Sequence, residues 1–387
     1  MESTNQRMRH PLVRPRMFAT DEATYLLMGG ELYAIQGQDA PTVAGEVLAR
    51  VDGFSTADDI ATAVAQTGTL LAAGVHHVLR MLVELGAVVV DSETPETRPL
   101  RQQYLPQIAY FGQHVTHPTA CQQRLQASHV TVLGLEYPGT LVVQQLGLAG
   151  IGHVRAVGNP VVQDGEAAFL GTSGAGVGQR HSLLAARLRT LECPTQYEGL
   201  DVSPGTPLVW DRILTDCDLA VVILPRPLPA LLRALNQACL ARAVPYLPVW
   251  FEVTGAQIGP LVVPGATPCM VCLELWRRPH LARDTVLALP LHDDATLPVW
   301  HERAWLLPWA STVASMAVGE VVTALTRYRQ PASYGHELFL STTDWQVTRT
   351  PVWRLPRCPA CSPLAHLPSP QPFALAPAPQ EDAAHDA

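Results

Sequence analysis

The residues best suited to chemistry are four cysteines in two Cys-x-x-Cys pairs. Cys269 and Cys272 lie in GPLVVPGATPCMVCLELWRR (259–278), and Cys358 and Cys361 lie in RLPRCPACSP (354–363). Two residues between thiols let both sulfurs face one ion from a single tight turn. Two such knuckles complete a tetrahedral Zn²⁺ shell with Zn–S near ~2.3 Å. Pro268 before the first pair and Pro359 inside the second stiffen those turns. A redox pair is the alternative, but it sits at a helix start beside a strand and one pair suffices. Four sulfur ligands leave no open position for water, so the expected role is structural: the ion staples the C-terminal segment onto the preceding domain. Cys121, Cys193, Cys217 and Cys239 are scattered, and in a reducing compartment they read as small buried apolar residues.

A second constellation is the strand-and-loop VTVLGLEYPG (130–139). In an α/β nucleotide-binding domain a G-x-G-x-x-G loop at this point brings backbone amides against phosphates. Here only Gly134 and Gly139 remain; Glu136 places negative charge where a phosphate would sit, and Pro138 removes an amide donor. The acidic residue expected after the second strand is replaced by the neutral VGNP (157–160). GTSGAGVGQRH (171–181) is another Gly-rich loop with Arg180 entering a helix, either an anion contact or a plain surface loop. Asp216 and Asp218, ahead of LAVVIL, either hold Mg²⁺ or cap a turn. The expectation is a worn nucleotide pocket, with ATP not used.

These residues need elements to position them. Runs HVTVLGL, VRAVGNP, DLAVVILPR and PYLPVWFEV alternate with helical segments, as in an open, mostly parallel α/β sheet. Before it, RMFATDEATYLLMGGELYAIQG (16–37) has short strand-like runs with MGGE at a hairpin turn. Three helical patterns and a short strand follow, giving a winged-helix-like order over 16–92. The expected organisation is a disordered 1–15, this winged-helix-like unit, a linker with some helix over 93–128, the α/β zinc domain over 129–362, and a Pro/Ala-rich disordered tail over 363–387.

Across 387 residues the net charge is −8 with 48% hydrophobic residues, a balance that offers nucleic acid or an anionic membrane no electrostatic footprint. The N-terminus lacks an apolar signal core, and no apolar run reaches the ~20 residues of a membrane span, so a cytoplasmic location is expected. A winged-helix DNA reader would need basic residues on its recognition helix, and GVHHVLRMLVELG offers only Arg80.

Together, the sheet, the worn loop, IGPLVVPGATPCMVCLELWRR and the terminal CPAC resemble the ThiF/MoeB-like adenylating superfamily. More narrowly they resemble its bacteriocin cyclodehydratase, or Ocin-ThiF-like, branch. The GP-x-x-x-PG-x-x-PC-x-x-C segment of that branch is matched at Gly259, Pro260, Pro264, Gly265, Pro268, Cys269 and Cys272. The 16–92 block is similar to the PqqD-like peptide-recognition element. The resemblance implies a non-catalytic partner protein that binds the leader of a ribosomally made peptide. A separate YcaO-type, ATP-dependent cyclodehydratase would then install azolines or azoles; the rival is an active adenylating enzyme of the same fold. It also implies a leader cleft between the third strand and the third helix, with Leu32, Tyr33, Ile35, His76, His77, Leu79, Arg80 and Val83 as liners, half of the apolar ones being core. ThiF-like folds commonly dimerise, which leaves a homodimer open.

Overall fold

The computed structural model describes residues 7–9, 15–19, 24–28, 31–37, 39–52, 55–68, 72–91, 98–115, 117–162, 180–203, 205–277, 297 and 306–365. Chain order begins with β1 (Arg7–Arg9), β2 (Arg16–Ala19), β3 (Thr24–Met28) and β4 (Glu31–Ile35). Next come α1 (Ala40–Arg50), α2 (Ala57–Ala65), α3 (Ala72–Glu84) and β5 (Val89–Asp91). β2, β3 and β4 form an antiparallel meander with Met28 opposite Glu31, and β4 is its edge. The glycine pair expected at this turn lies outside the described residues.

α2 starts on a capping box: Thr56 Oγ1 accepts from the Asp59 amide, and the Asp59 carboxylate accepts from the Thr56 amide. Leu26, Val43, Val47, Ile60, Val64, Val75, Leu79 and Leu82 make one small core. Part of the N-terminus, expected as disordered, is a strand. β1 pairs antiparallel with β5, Met8 opposite Val90, and Met8 is buried in that same core. Burial of one methionine between two charged neighbours is a signal too short for periodicity to register.

The stretch expected as a linker with some helix forms two packed helices, α4 (Arg98–Phe111) and α5 (Pro118–Ala127). Ile108, Phe111, Cys121 and Leu125 are buried, and the side-chain amides of Gln107 and Gln122 both donate to the Ala149 carbonyl. Gly150 must be glycine at this contact: φ is +85°, and a Cβ would lie 2.4 Å from Gln122 Nε2.

The large sheet contains β6 (His129–Leu133), β7 (His153–Gly158), β8 (Gln196–Asp201), β9 (Leu219–Leu224), β10 (Tyr246–Glu252), β11 (Gly255–Ile258), β12 (His336–Ser341) and β13 (Val347–Pro351). Its order is β13-β12-β11-β10-β9-β6-β7-β8. β8, β7, β6, β9 and β10 run parallel, and β11 to β13 are antiparallel. The helices are α6 (Gly139–Leu148), α7 (Arg180–Thr190), α8 (Trp210–Ile213), α9 (Pro229–Arg242), α10 (Met270–Arg277) and α11 (Leu307–Thr326).

Two apolar cores cover the two faces of this sheet. One gathers residues of α5, α6, α7 and α11, the other those of α8, α9 and α10. This is why the central strands read as continuous apolar runs. From β6 the chain winds first towards β8 and then back past β6 towards β10. The switch point therefore falls between β6 and β9, at whose C-terminal ends open α/β sheets bind ligands. Among the described residues, no helix is long and apolar enough to cross a membrane.

Candidate metal centre, glycine loop and peptide edge

The two Cys pairs converge. Cys269 Sγ lies 3.6 Å from Cys358 Sγ and 3.9 Å from Cys272 Sγ, and Cys272 Sγ lies 3.6 Å from Cys361 Sγ. A tetrahedron with ~2.3 Å metal–sulfur bonds has edges of about 3.8 Å, so the donor set fits Zn²⁺. Three of the sulfurs' residues are buried and Cys361 is half-buried.

The knuckles are held from both sides. Asn236 Oδ1 accepts from the Met270 amide at the start of α10, and Thr267 Oγ1 accepts from the Val263 amide while donating to the Leu261 carbonyl. The Arg354 guanidinium donates to the carbonyls of Gly265 and Cys361, one on each knuckle. A hydrogen bond from the Cys269 thiol draws Cys272 down to about 5, whereas burial and then Cys272 push Cys361 up to about 11. A Zn²⁺ ion is held by sulfurs in the thiolate form, so binding the metal couples to loss of the thiol protons.

The glycine loop is spent on its own fold. Residues 131 to 140 are buried throughout. Gly134 has φ +93°, and a Cβ there would meet the Ile223 carbonyl at 2.1 Å. A Cβ on Gly139 would meet the Gly134 carbonyl at 1.9 Å. The Gly134 amide donates to Val157 O, and the Gly139 amide donates to Glu136 O. Tyr137 Oη lies 2.9 Å from Ser311 Oγ of α11, which packs along α6.

Arg180, read as a candidate for a phosphate, is wholly buried. Its Nε donates to Asn159 O at 2.7 Å, Nη1 to Leu135 O at 2.9 Å and Nη2 to Val161 O at 2.5 Å. It ties the glycine loop to the end of β7. The rest of the second Gly-rich loop, 171 to 179, lies outside the described residues.

Asp218 is not beside this loop. It precedes β9 and accepts from the His129 amide at 2.8 Å, at the N-terminal edge of the sheet. β6 and β9 run parallel, so the length of β6, about 16 Å, separates it from Gly134. With Asp216 it lines a cavity of about 630 Å³ at that far edge.

The expected peptide liners divide by burial. Leu32 and Tyr33 on edge strand β4 are exposed. Ile35 and Val83 pack partly against the small core, and Leu79 belongs to it, so Leu79 cannot line an open cleft. His76 Nε2 faces Asp58 Oδ1 on α2 at 3.2 Å, while His77 and Arg80 are exposed on α3.

One arrangement escaped the sequence reading. His181 Nδ1 lies 2.6 Å from Tyr197 Oη across α7 and β8. Asp201 Oδ1 is 3.1 Å from His181 Nε2, in ion-pair range but not aligned as a hydrogen-bond acceptor. Burial, against the opposing pull of Asp201, holds His181 below the usual histidine value, and burial pushes the Tyr197 phenol up.

No family model matches the sequence, and no curated protein does. Solved structures do resemble the fold. E. coli MccB crystallised with ATP aligns with TM-score 0.67 at 17% identity, covering 92% of this chain and 99% of that one. The microcin C7 biosynthetic enzyme MccB in complex with N-formylated MccA aligns with TM-score 0.66 at 16% identity over 92% and 99%. PaaA aligns with TM-score 0.61 at 16% identity, covering 76% of this chain and 96% of that one. At such identities the likeness is one of architecture: the chain shares with these structures a mixed α/β fold built on a parallel-rich eight-stranded sheet.

Proposed function

We propose that this chain is a peptide-binding scaffold that captures the leader of a ribosomally made precursor and presents it to a YcaO-type cyclodehydratase acting in trans. The observation that carries the reading is β4. It is the unpaired edge of a small meander, with exposed Leu32 and Tyr33 standing on opposite faces. An extended leader adds there as a further strand: its main chain makes the hydrogen bonds and alternate side chains rest on those two residues. Exposed His77 and Arg80 supply local donors for an acidic leader, against the −8 of the whole chain. In this reading residues 16–92 are the PqqD-like recognition element and the four cysteines hold structural Zn²⁺. A homodimer would be read from light scattering.

A second reading, an ATP-dependent peptide-adenylating enzyme, is favoured by the likeness to MccB, a protein solved with ATP and with MccA. Against it stand the sealed glycine loop, the engagement of Arg180 with three carbonyls, and the distance of Asp218 from that loop. Two titrations of the full chain separate the readings. Calorimetry with Mg-ATP should show no binding at millimolar nucleotide; micromolar binding would revive adenylation. Labelled precursor leaders should bind, and Leu32→Glu with Tyr33→Ser should weaken them at least ~10-fold, about 1.4 kcal/mol. An unchanged affinity would remove β4 from the reading.

A further inference from the structure

At the edge of the sheet remote from the glycine loop, three adjacent parallel strands begin with a polar stripe on one face. His129 opens β6 and His153 opens β7 directly opposite it; Glu198 lies on β8 opposite Arg155, two residues further along the same face. The two imidazoles stack with centroids 3.7 Å apart and planes 21° from parallel, so one ring must turn about its side-chain torsions before both present a nitrogen to a common ion. His153 Nε2 is 3.6 Å from Glu198 Oε2, and one donor atom from each of the three residues lies within 4.8 Å of the others.

The rest of the stripe is satisfied. Thr131 Oγ1 donates to Ile213 O, and Arg155 donates to Glu198 Oε2 at 2.8 Å and to the carbonyls of Ile213 and Thr215. His129 Nε2 is different: it is buried with no hydrogen-bond partner. A buried imidazole nitrogen without a partner costs roughly 1–3 kcal/mol, so its persistence asks for an occupant.

We propose that His129, His153 and Glu198 form a second metal site, for a borderline divalent ion such as Zn²⁺, Ni²⁺ or Co²⁺. Two imidazoles and a carboxylate suit that class, and the edge of a tetrahedron with ~2.0–2.1 Å bonds is about 3.3 Å, close to the His153–Glu198 separation. Arg155 then plays the outer-shell part, fixing the carboxylate that faces the ion. The side chains of His153 and Glu198 are 29% and 37% exposed, which gives the ion a way in. Unlike the four-sulfur cluster, three protein ligands leave a coordination position for water or another small donor. The backbone carries the arrangement too, since Asp218 accepts from the His129 amide and fixes the start of β6.

The test compares bound metal in the full-length chain and in His153→Ala, after equilibration with Co²⁺ and removal of free ion. Zinc and cobalt are counted together, and the absorption spectrum identifies the donors. The expected result is one equivalent less in the variant, with loss of ligand-field bands and no loss of sulfur-to-cobalt charge-transfer bands. Equal metal content in the two proteins overturns the site, as does a difference confined to the sulfur bands. Should His153→Ala fail to fold, the isosteric Glu198→Gln serves instead. It should weaken Co²⁺ binding by more than the ~10–100-fold typical of losing an outer-shell partner. Unchanged binding in that variant also overturns the proposal.

Discussion

Arg180→Ala separates a structural arginine from a phosphate-binding one. The guanidinium donates to the carbonyls of Asn159, Leu135 and Val161 at 2.7, 2.9 and 2.5 Å, with no exposed surface. Truncation leaves three acceptors, those of Asn159 and Leu135 in buried bonds and that of Val161 part-buried; a buried one costs roughly 1–3 kcal/mol when unmatched, and water entering the vacated space recovers part of that. A net loss of about 3–6 kcal/mol follows, towards the severe end for single substitutions. At ~2–4 °C per kcal/mol for a domain of this size, melting should fall by roughly 6–24 °C. Differential scanning calorimetry without ligand reads this directly. Hydrogen exchange should show the loss concentrated at 133–142 and 157–162, the segments Arg180 joins. A melting change under about 2 °C together with loss of nucleotide binding would refute the reasoning, because the charge would then be held for a ligand. For the same reason, weak ATP binding by this variant is uninformative unless its fold is measured first.

In the proposed zinc centre Cys358→Ser removes one of four sulfur ligands, and structural zinc contributes ~10–16 kcal/mol in isolated zinc peptides. The variant should lose one equivalent of zinc and become cleavable by protease around residues 352–365, and retention of both zinc and resistance would argue against a structural centre. His181 is held below its unfolded value of about 6.5, chiefly by burial. The unfolded chain therefore takes up the proton first, so this contribution is fully present above about pH 6.5 and is lost as pH falls from there towards the lower folded pKa. Denaturant titrations across that window should show stability falling with pH, with a shallower slope in His181→Gln; an identical slope would remove His181 as a contributor.

What the sequence makes legible here is what depends on local spacing. The Cys-x-x-Cys pairs announce themselves because each is one turn, and the alternation of apolar runs with helical patterns yields an open, mostly parallel α/β sheet before any register is known. Glycine, by contrast, has two opposite uses that look alike in one dimension. Gly134 and Gly139 admit a close backbone approach, which a phosphate loop needs, but here the approaching groups are the carbonyls of Ile223 and Gly134. Arg180 was ambiguous for the same reason: a basic residue after a Gly-rich run suggests an exposed donor, and only the packing of β7 against the loop turns it inward. Asp218 is placed by strand polarity alone. A residue that precedes a parallel strand lies at the edge opposite its C-terminal end, so strand polarity alone denies it a place beside Gly134. His129 and His153 form the converse case. Nothing in their spacing marks them as a pair, because parallel strands exchange no local turn that would fix register. Their meeting depends on two strands starting level, held by the Asp218 carboxylate on the His129 amide. The edge remote from the conventional ligand crevice therefore carries the donor set that register alone creates, while at the crevice edge the glycine loop packs on the Ile223 carbonyl and Arg180 ties it to the end of β7.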